Sequence, residues 1–363
     1  MKPLIGVLLN QRILKRGVRG QPTFEKLALY AKAARELDVD VVFFDTTGVR
    51  IKRKEVIGYV PREGGKWQRR VVPLPKVVHK RGLFRRSRDR RVIKRLTEQS
   101  VYVFNPDINW DKYEIHKILQ GESLLRPYLP ETVLARRENY AWFRQQLLDG
   151  HEVFVKSRKG SLGLGIARVY RVGPDRYRYQ SRSLRKSTTL RGVWNLACRG
   201  GSAHMLQRGI QLMEDGGRRV DFRVPVQRDG DGKWNIPGIA AKRAERLPFL
   251  TNLARGASVH DGREMLIRNF GAAPAKRIID EMLEIAAVAA QTLNAHHANV
   301  VDLGFDIGID KQGHPYIIEA NRRDLRVLLA RSGQHDANAM LFKNPIAYGR
   351  YVLEHAADFA QAK

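Results

Sequence analysis

The sequence predicts an α/β protein that changes to α+β in its C-terminal part. Three observations carry this. The chain opens with an apolar run, a helix-periodic segment and a second apolar run, the order of a βαβ unit. Its character changes near Asn105-Pro106-Asp107, after which short strands and helices alternate less regularly. Toward the C-terminus, two apolar runs flank a tight turn, as in a β-hairpin.

Leu4 to Leu9 reads as a buried strand. Phe24, Leu27, Ala28, Ala31, Ala34 and Leu37 recur at helical spacing, and Val39 to Phe44 forms the second strand. Ile57 to Pro75, broken by Gly64-Gly65 and Pro73, predicts short strands and turns. Val77-Val78 and Val101 to Phe104 are further strands on either side of a basic segment. Asp111 caps a helix to Leu119, and Pro127 and Pro130 mark a loop. A helix over 137–149 ends at Gly150, and residues 152–156 form a strand. Strands at 223–227 and 234–236 flank the turn Asp229 to Gly232. Pro274 opens a long helix through Ile278, Met282, Ile285, Ala286, Ala289 and Leu293.

The chain has 363 residues, 43% of them hydrophobic, which excludes wholesale disorder and favours more than one domain. A single cysteine, Cys198, excludes an intrachain disulfide framework and a cysteine-based zinc cluster. No apolar stretch has the ~20 residues that a membrane-spanning helix needs, and the first run is too short for a secretory signal. The expectation is a soluble, cytoplasmic protein. Lys and Arg number 66 against 37 Asp and Glu, a net charge of +29. The excess is concentrated between Lys80 and Arg95 and between Arg168 and Arg191. Such clusters read either as a docking surface for a polyanion or as a solvated basic face. Aromatic residues are sparse in the first cluster, so nucleic acid is the less favoured partner.

The segment Leu303 to Asn321 is the most informative. A two-residue turn at Gln312-Gly313 places Asp306 directly opposite Glu319, with Cβ atoms ~5 Å apart. Asn321, two residues on, points to the same face. Opposed carboxylates destabilise a sheet unless a cation lies between them, and a hard divalent cation prefers such oxygen ligands. A second feature follows the strand ending at Lys156: a glycine-rich run through Gly160, Ser161, Gly163 and Gly165. Glycines let backbone N–H groups approach phosphate closely. The run is neither a Walker A loop nor a dinucleotide fingerprint, and a hairpin lid suits it better.

Lys156 with its glycine run, followed far downstream by Asp306 and Glu319-Ala320-Asn321, resembles the ATP-grasp superfamily. Within it the chain is most similar to the YheC/YheD family, a spore coat-associated group, and more distantly to the ribosomal-protein glutamate ligases. The resemblance implies an ATP-grasp fold behind an N-terminal Rossmann-like pre-ATP-grasp domain. The domains would be 1–105, a linker and helical part at 106–150, a lid at 151–210, and a C-terminal subdomain with the metal site at 211–363. It implies that Lys112 and Lys156 contact nucleotide phosphates and that Gly160 to Gly165 closes over them. Gln207, Arg208 and Ile210 would form the adenine-binding linker, and Asp221 would reach the ribose. Arg243 and Asn252 would meet the γ-phosphate and the reacting group. Asp306, Glu319 and Asn321 would hold Mg²⁺, with Mn²⁺ as an alternative. Ser157 and Asp324 stand where the pattern often has proline.

The activity implied is ATP-dependent carboxylate–amine ligation through an acyl phosphate, with ADP and phosphate released. One of the two substrates, carboxylate or amine, would be anionic, such as an acidic peptide or polymer. The competing readings are an ATP-grasp kinase acting on a hydroxyl and a non-catalytic polyanion-binding coat protein. The sequence leaves the oligomeric state open.

Overall fold

A computed structural model describes residues 2–84, 86–106, 110–160, 165–245 and 256–361. They build three sheets. In the first, Leu4–Leu8 pairs in parallel with Asp40–Phe44 on one side and Val77–Lys80 on the other, and Tyr102–Phe104 extends the parallel part. The hairpin of Glu55–Pro61 and Trp67–Pro73 adds an antiparallel margin. Leu4–Leu8 is apolar along its whole length because both faces are covered. Helix Leu27–Glu36 packs on one face through Leu27, Tyr30, Ala33 and Ala34. Helix Ser87–Glu98 covers the other through Ile93 and Leu96. The βαβ opening is as expected. Helix Gln11–Val18 and the long C-terminal helix His335–Glu354, which returns to the first sheet through Leu341, Phe342 and Ile346, were not foreseen.

The second sheet is antiparallel, in the order Arg185–Thr188, Arg176–Ser181, Ala167–Gly173, Val153–Ser157, His204–Arg208, Thr132–Leu134. Helices Tyr140–Leu148 and Leu190–Ala197 cover one face, meeting Val153, Val155, Val169 and Tyr177. Alternation turns Phe154 and Lys156 to the other face. The glycine run lies in the chain between two strands that pair antiparallel.

The third sheet is ordered Ser258–Asp261, Ala240–Arg243, Arg218–Arg228, Asp302–Ile309, Pro315–Asn321. Helix Ala272–His296 lies across it, burying Ile278, Met282, Ile285, Ala286 and Leu293 against Phe222, Val224, Phe305 and Ile307. Each fully buried large aliphatic side chain there contributes roughly 1.5–3 kcal/mol. The hairpin pairs Asp306 with Glu319 as the sequence expects, but reaches that register differently. Ile309 pairs with Pro315, so the turn is longer than two residues, and a β-bulge between Ile307 and Asp306 leaves Ile318 without an opposite.

The first and third sheets meet across a buried ionic cluster. Arg81, 1% exposed, donates to Glu25, to Asp302 at 2.6 Å and to the Asp324 carbonyl at 2.7 Å. Arg326 donates to Asp302 at 2.7 Å and to the Tyr30 hydroxyl. Burial disfavours the Asp302 carboxylate, but Arg326 and Arg81 override it and hold the group far below the usual range. Burial pushes His79, against the same carboxylate, down to about 4, so it is neutral at pH 7. Among the described residues no helix is long and apolar enough to cross a membrane.

Candidate active site

A cleft opens between the second and third sheets, bounded by helix Lys112–Gly121. The helix contributes Lys112, Ile115, His116 and Leu119, the second sheet Lys156, Met205 and Gln207, and the hairpin Ile317 to Ala320. Asp111 starts the helix by accepting from the Tyr113 and Glu114 backbone N–H groups, which sets Lys112 at the mouth.

Lys156 is buried, and its Nζ donates to the Gln207 side-chain oxygen. Gln207 in turn donates to Thr132 Oγ1 at 3.1 Å. Among the described residues Lys156 has no carboxylate within ion-pair distance. Burial lowers its pKa to about 8; the attraction of Glu319 opposes this, and the nearby Lys112 adds to it. Burial and Lys156 also push His116 down to about 4.

The opposite wall is acidic. Asp306 Oδ1 accepts from Lys242 Nζ at 2.7 Å and Arg223 Nε at 3.2 Å. Its Oδ2 accepts from Arg223 Nη2 at 3.2 Å and Asn321 Nδ2 at 3.0 Å. Burial raises the Asp306 pKa, but Arg223 and Lys242 bring it down to about 2. Lys242 also reaches Asp221 at 2.9 Å, and Lys112 lies 3.3 Å from Glu319. Burial lowers the Lys242 pKa, yet Asp221 and Asp306 more than offset this, so it stays charged where Lys156 is marginal.

Asp306, Glu319 and Asn321 are brought together as the register expects, with Asp221 beside them. The donor set suits a hard divalent cation, since two carboxylates and one amide supply only oxygen ligands. Among the described residues no three His, Cys, Asp or Glu groups are placed to hold a metal ion together, so the candidate seat rests on two acids and an amide. In the structure side-chain cations balance both acids. Asn321 turns its nitrogen to Asp306; a half-turn of the amide would present oxygen instead.

Other expected residues lie apart. Arg243 is placed on the helix side of its strand, because alternation turns Lys242 into the acidic cluster and Arg243 away from it. Its guanidinium is held by Asp215 at 2.9 Å and by Glu245. Arg208 pairs with Glu131, its backbone N–H is committed to the Glu131 carbonyl, and Ile210 follows outside the strand. Gly160 and Gly165 lie between strands Val153–Ser157 and Ala167–Gly173, and Gly165 has φ +78°. Ser161, Gly163 and Asn252 lie outside the described residues.

Arg223 and Lys242 were missed in the sequence. The signal for Arg223 was its spacing from Asp221: two residues apart on one strand, both face the cleft. Arg223 also approaches Asp324 at 3.4 Å, linking the acidic wall to the buried ionic cluster.

An antiparallel sheet thus faces an acidic hairpin across the cleft, with lysines on the walls between them. Residues 100–352 match the YheC/D-like ATP-grasp family, and the chain belongs to it. Endospore coat-associated protein YheD of Bacillus subtilis (strain 168) is 26% identical over 321 residues, covering 84% of this chain and 69% of that protein. Among solved structures, the ATP-grasp ligase PsnB complexed with minimal precursor is 15% identical with a TM-score of 0.53, over 95% of this chain and 100% of that one. The ADP complex of PurK, N5-carboxyaminoimidazole ribonucleotide synthetase, is 13% identical with a TM-score of 0.51, over 89% and 71%. At these identities the solved structures speak for the fold.

Proposed function

We propose that the protein is an ATP-dependent carboxylate–amine ligase. The observation that carries this reading is the polarity of the cleft: Lys156, buried without a carboxylate partner among the described residues, and Lys112 face the pair Asp306 and Glu319. A desolvated ammonium lacking an anion is unfavourable, and a bound phosphate would supply the missing charge. Ile115, Leu119, Met205 and Ile318 give the cleft the apolar walls a purine base needs. That PurK was solved as an ADP complex and that PsnB is a ligase are in keeping with this reading.

Asp306, Glu319 and Asn321 would hold Mg²⁺ or Mn²⁺, which when bound neutralises phosphate charge and polarises the γ-phosphoryl group. Lys112 and Lys156 orient the triphosphate. A substrate carboxylate attacks the γ-phosphorus and ADP leaves; an amine then attacks the acyl phosphate and phosphate leaves. Because Arg243 points to the helix side, Lys242 and Arg223 are the better residues to steady the acyl phosphate. The lid hairpin would exclude water that would hydrolyse it.

The test uses the full chain with ATP, Mg²⁺, an amine pool and ¹⁸O-labelled carboxylates from a cell extract, read by mass spectrometry. Expected are a condensation product and one ¹⁸O atom transferred to phosphate. A product carrying a phosphoryl group, or ATP turnover with no carboxylate dependence, would refute the ligase reading.

A further inference from the structure

The second sheet carries a strongly biased charge, which apart from Lys156 the nucleotide cleft does not use. Between His151 and Ile210 there are thirteen Lys and Arg residues and two acids, Glu152 and Asp175. Strand register sorts some of these onto the cleft side. Gln207 pairs with Phe154, Phe154 with Arg168, Arg168 with Gln180, and Gln180 with Arg185. Directly opposed residues share a face, so this row runs unbroken from the nucleotide cleft to the free edge of the sheet. Beside it Tyr170, Arg178 and Ser187 form a second row. The opposite face is the one covered by helices.

The outer cations of this face, Arg178 and Arg185, are not matched by acids among the described residues. Arg168, nearer the cleft, pairs with Glu152, which also meets Arg219 of the third sheet. Among the described residues Arg178 donates to Ser187 Oγ, at 3.1 Å, and neither Arg178 nor Arg185 has an acid within ion-pair distance. Four strand spacings separate Gln207 from Arg185, roughly 19 Å, the reach of about six residues of extended peptide.

We propose that this face is a docking track for an extended acidic polypeptide, one of whose carboxylates is delivered to the cleft. The inference rests on the ligase reading and names its substrate class. Guanidinium groups on alternating positions match carboxylates in forked pairs. A single-stranded nucleic acid would instead need open aromatic platforms. The Tyr170 ring is already covered by the Arg168 guanidinium, 4.2 Å from its centroid, and its hydroxyl is tied to Gln180.

The experiment measures fluorescence anisotropy of labelled decaglutamate, decaglutamine and an oligothymidylate of equal length with the full chain. The track variant is Arg178→Gln with Arg185→Gln; the control is Arg88→Gln with Arg91→Gln, on the exposed basic helix of the first sheet. Decaglutamate is expected to bind, decaglutamine not, and the track variant to weaken binding about tenfold. The control should change it less than about twofold. An unchanged thermal shift with Mg-ATP would show the track variant folded. Equal losses in both variants, equal binding of decaglutamine, or tighter binding of oligothymidylate would overturn the proposal. Decaglutamate bound on the track without ADP release would leave the track standing and remove the ligase reading. ADP release with a small carboxylate, but no peptide binding, would do the reverse.

Discussion

Replacing Asp302 by asparagine strikes the junction between the first and third sheets. Asp302 Oδ2 accepts from Arg81 at 2.6 Å and from Arg326 at 2.7 Å, with all three side chains essentially inaccessible. In D302N, Arg81 keeps Glu25 at 2.8 Å. Arg326 keeps the Tyr30 hydroxyl but, among the described residues, loses its one carboxylate. Removing one member of a buried pair costs ~3–5 kcal/mol, and because an amide oxygen still accepts hydrogen bonds, ~3 kcal/mol is expected. Adding Arg326→Met should recover ~1–3 kcal/mol relative to the sum of the single losses. Urea titrations followed by circular dichroism give all four corners of the cycle. The pH dependence has a definite sign. The folded carboxyl titrates below its unfolded value of ~3.9, so the unfolded chain binds more protons in acid. The stabilisation is whole above that value and drains away as pH falls below it. The gap between wild type and D302N should therefore narrow at pH 3. A loss below ~1 kcal/mol at pH 7, or strict additivity with Arg326→Met, would refute this account of the junction.

Glu319→Gln should remove the magnesium-dependent part of the thermal shift produced by ATP; an unchanged shift would count against the acidic wall as a cation seat. Lys156→Met should weaken ATP binding about tenfold or more, the worth of one charge-assisted contact. Burial brings the Lys156 ammonium to about 8, and bound phosphate favours its charged form, so ATP binding at pH 8.5 should draw in a proton. Calorimetry in two buffers of different ionisation enthalpy measures this uptake, which the Met variant should lack. Gly48→Ala would drive a Cβ into the Ile57 carbonyl oxygen, where backbone must yield. A loss of ~1–3 kcal/mol in urea is expected, and a neutral result would mean that the margin of the first sheet gives way freely.

Short-range pattern made much of this molecule legible. The βαβ opening, the Asp111 cap, the long helix after Pro274 and the pairing of Asp306 with Glu319 all follow from periodicities and turns within a few tens of residues. The acid pair was reached through two departures that cancel, since the turn is longer than two residues and the bulge restores the offset. Choosing between Lys242 and Arg243 depended on strand parity, which cannot be assigned until the neighbouring strand is known. The buried ionic cluster was beyond reach for a different reason: Arg81 and Asp302 are 221 positions apart, and charged residues in a basic chain read as surface until packing hides them. The C-terminal helix was missed because its core face is set by a sheet formed at the other end of the chain.

The bulged residue Ile318 does more than adjust a turn. Ile317 packs in the core beneath the long helix, and simple alternation would send position 319 the same way; instead Ala320 takes the next inward place. One supernumerary residue thus decides whether a carboxylate meets the cleft or is driven into oil. Chain length in this ribbon is consequently a stricter requirement than side-chain identity: trimming a single residue there would invert the strand's sidedness and silence the acid without altering it.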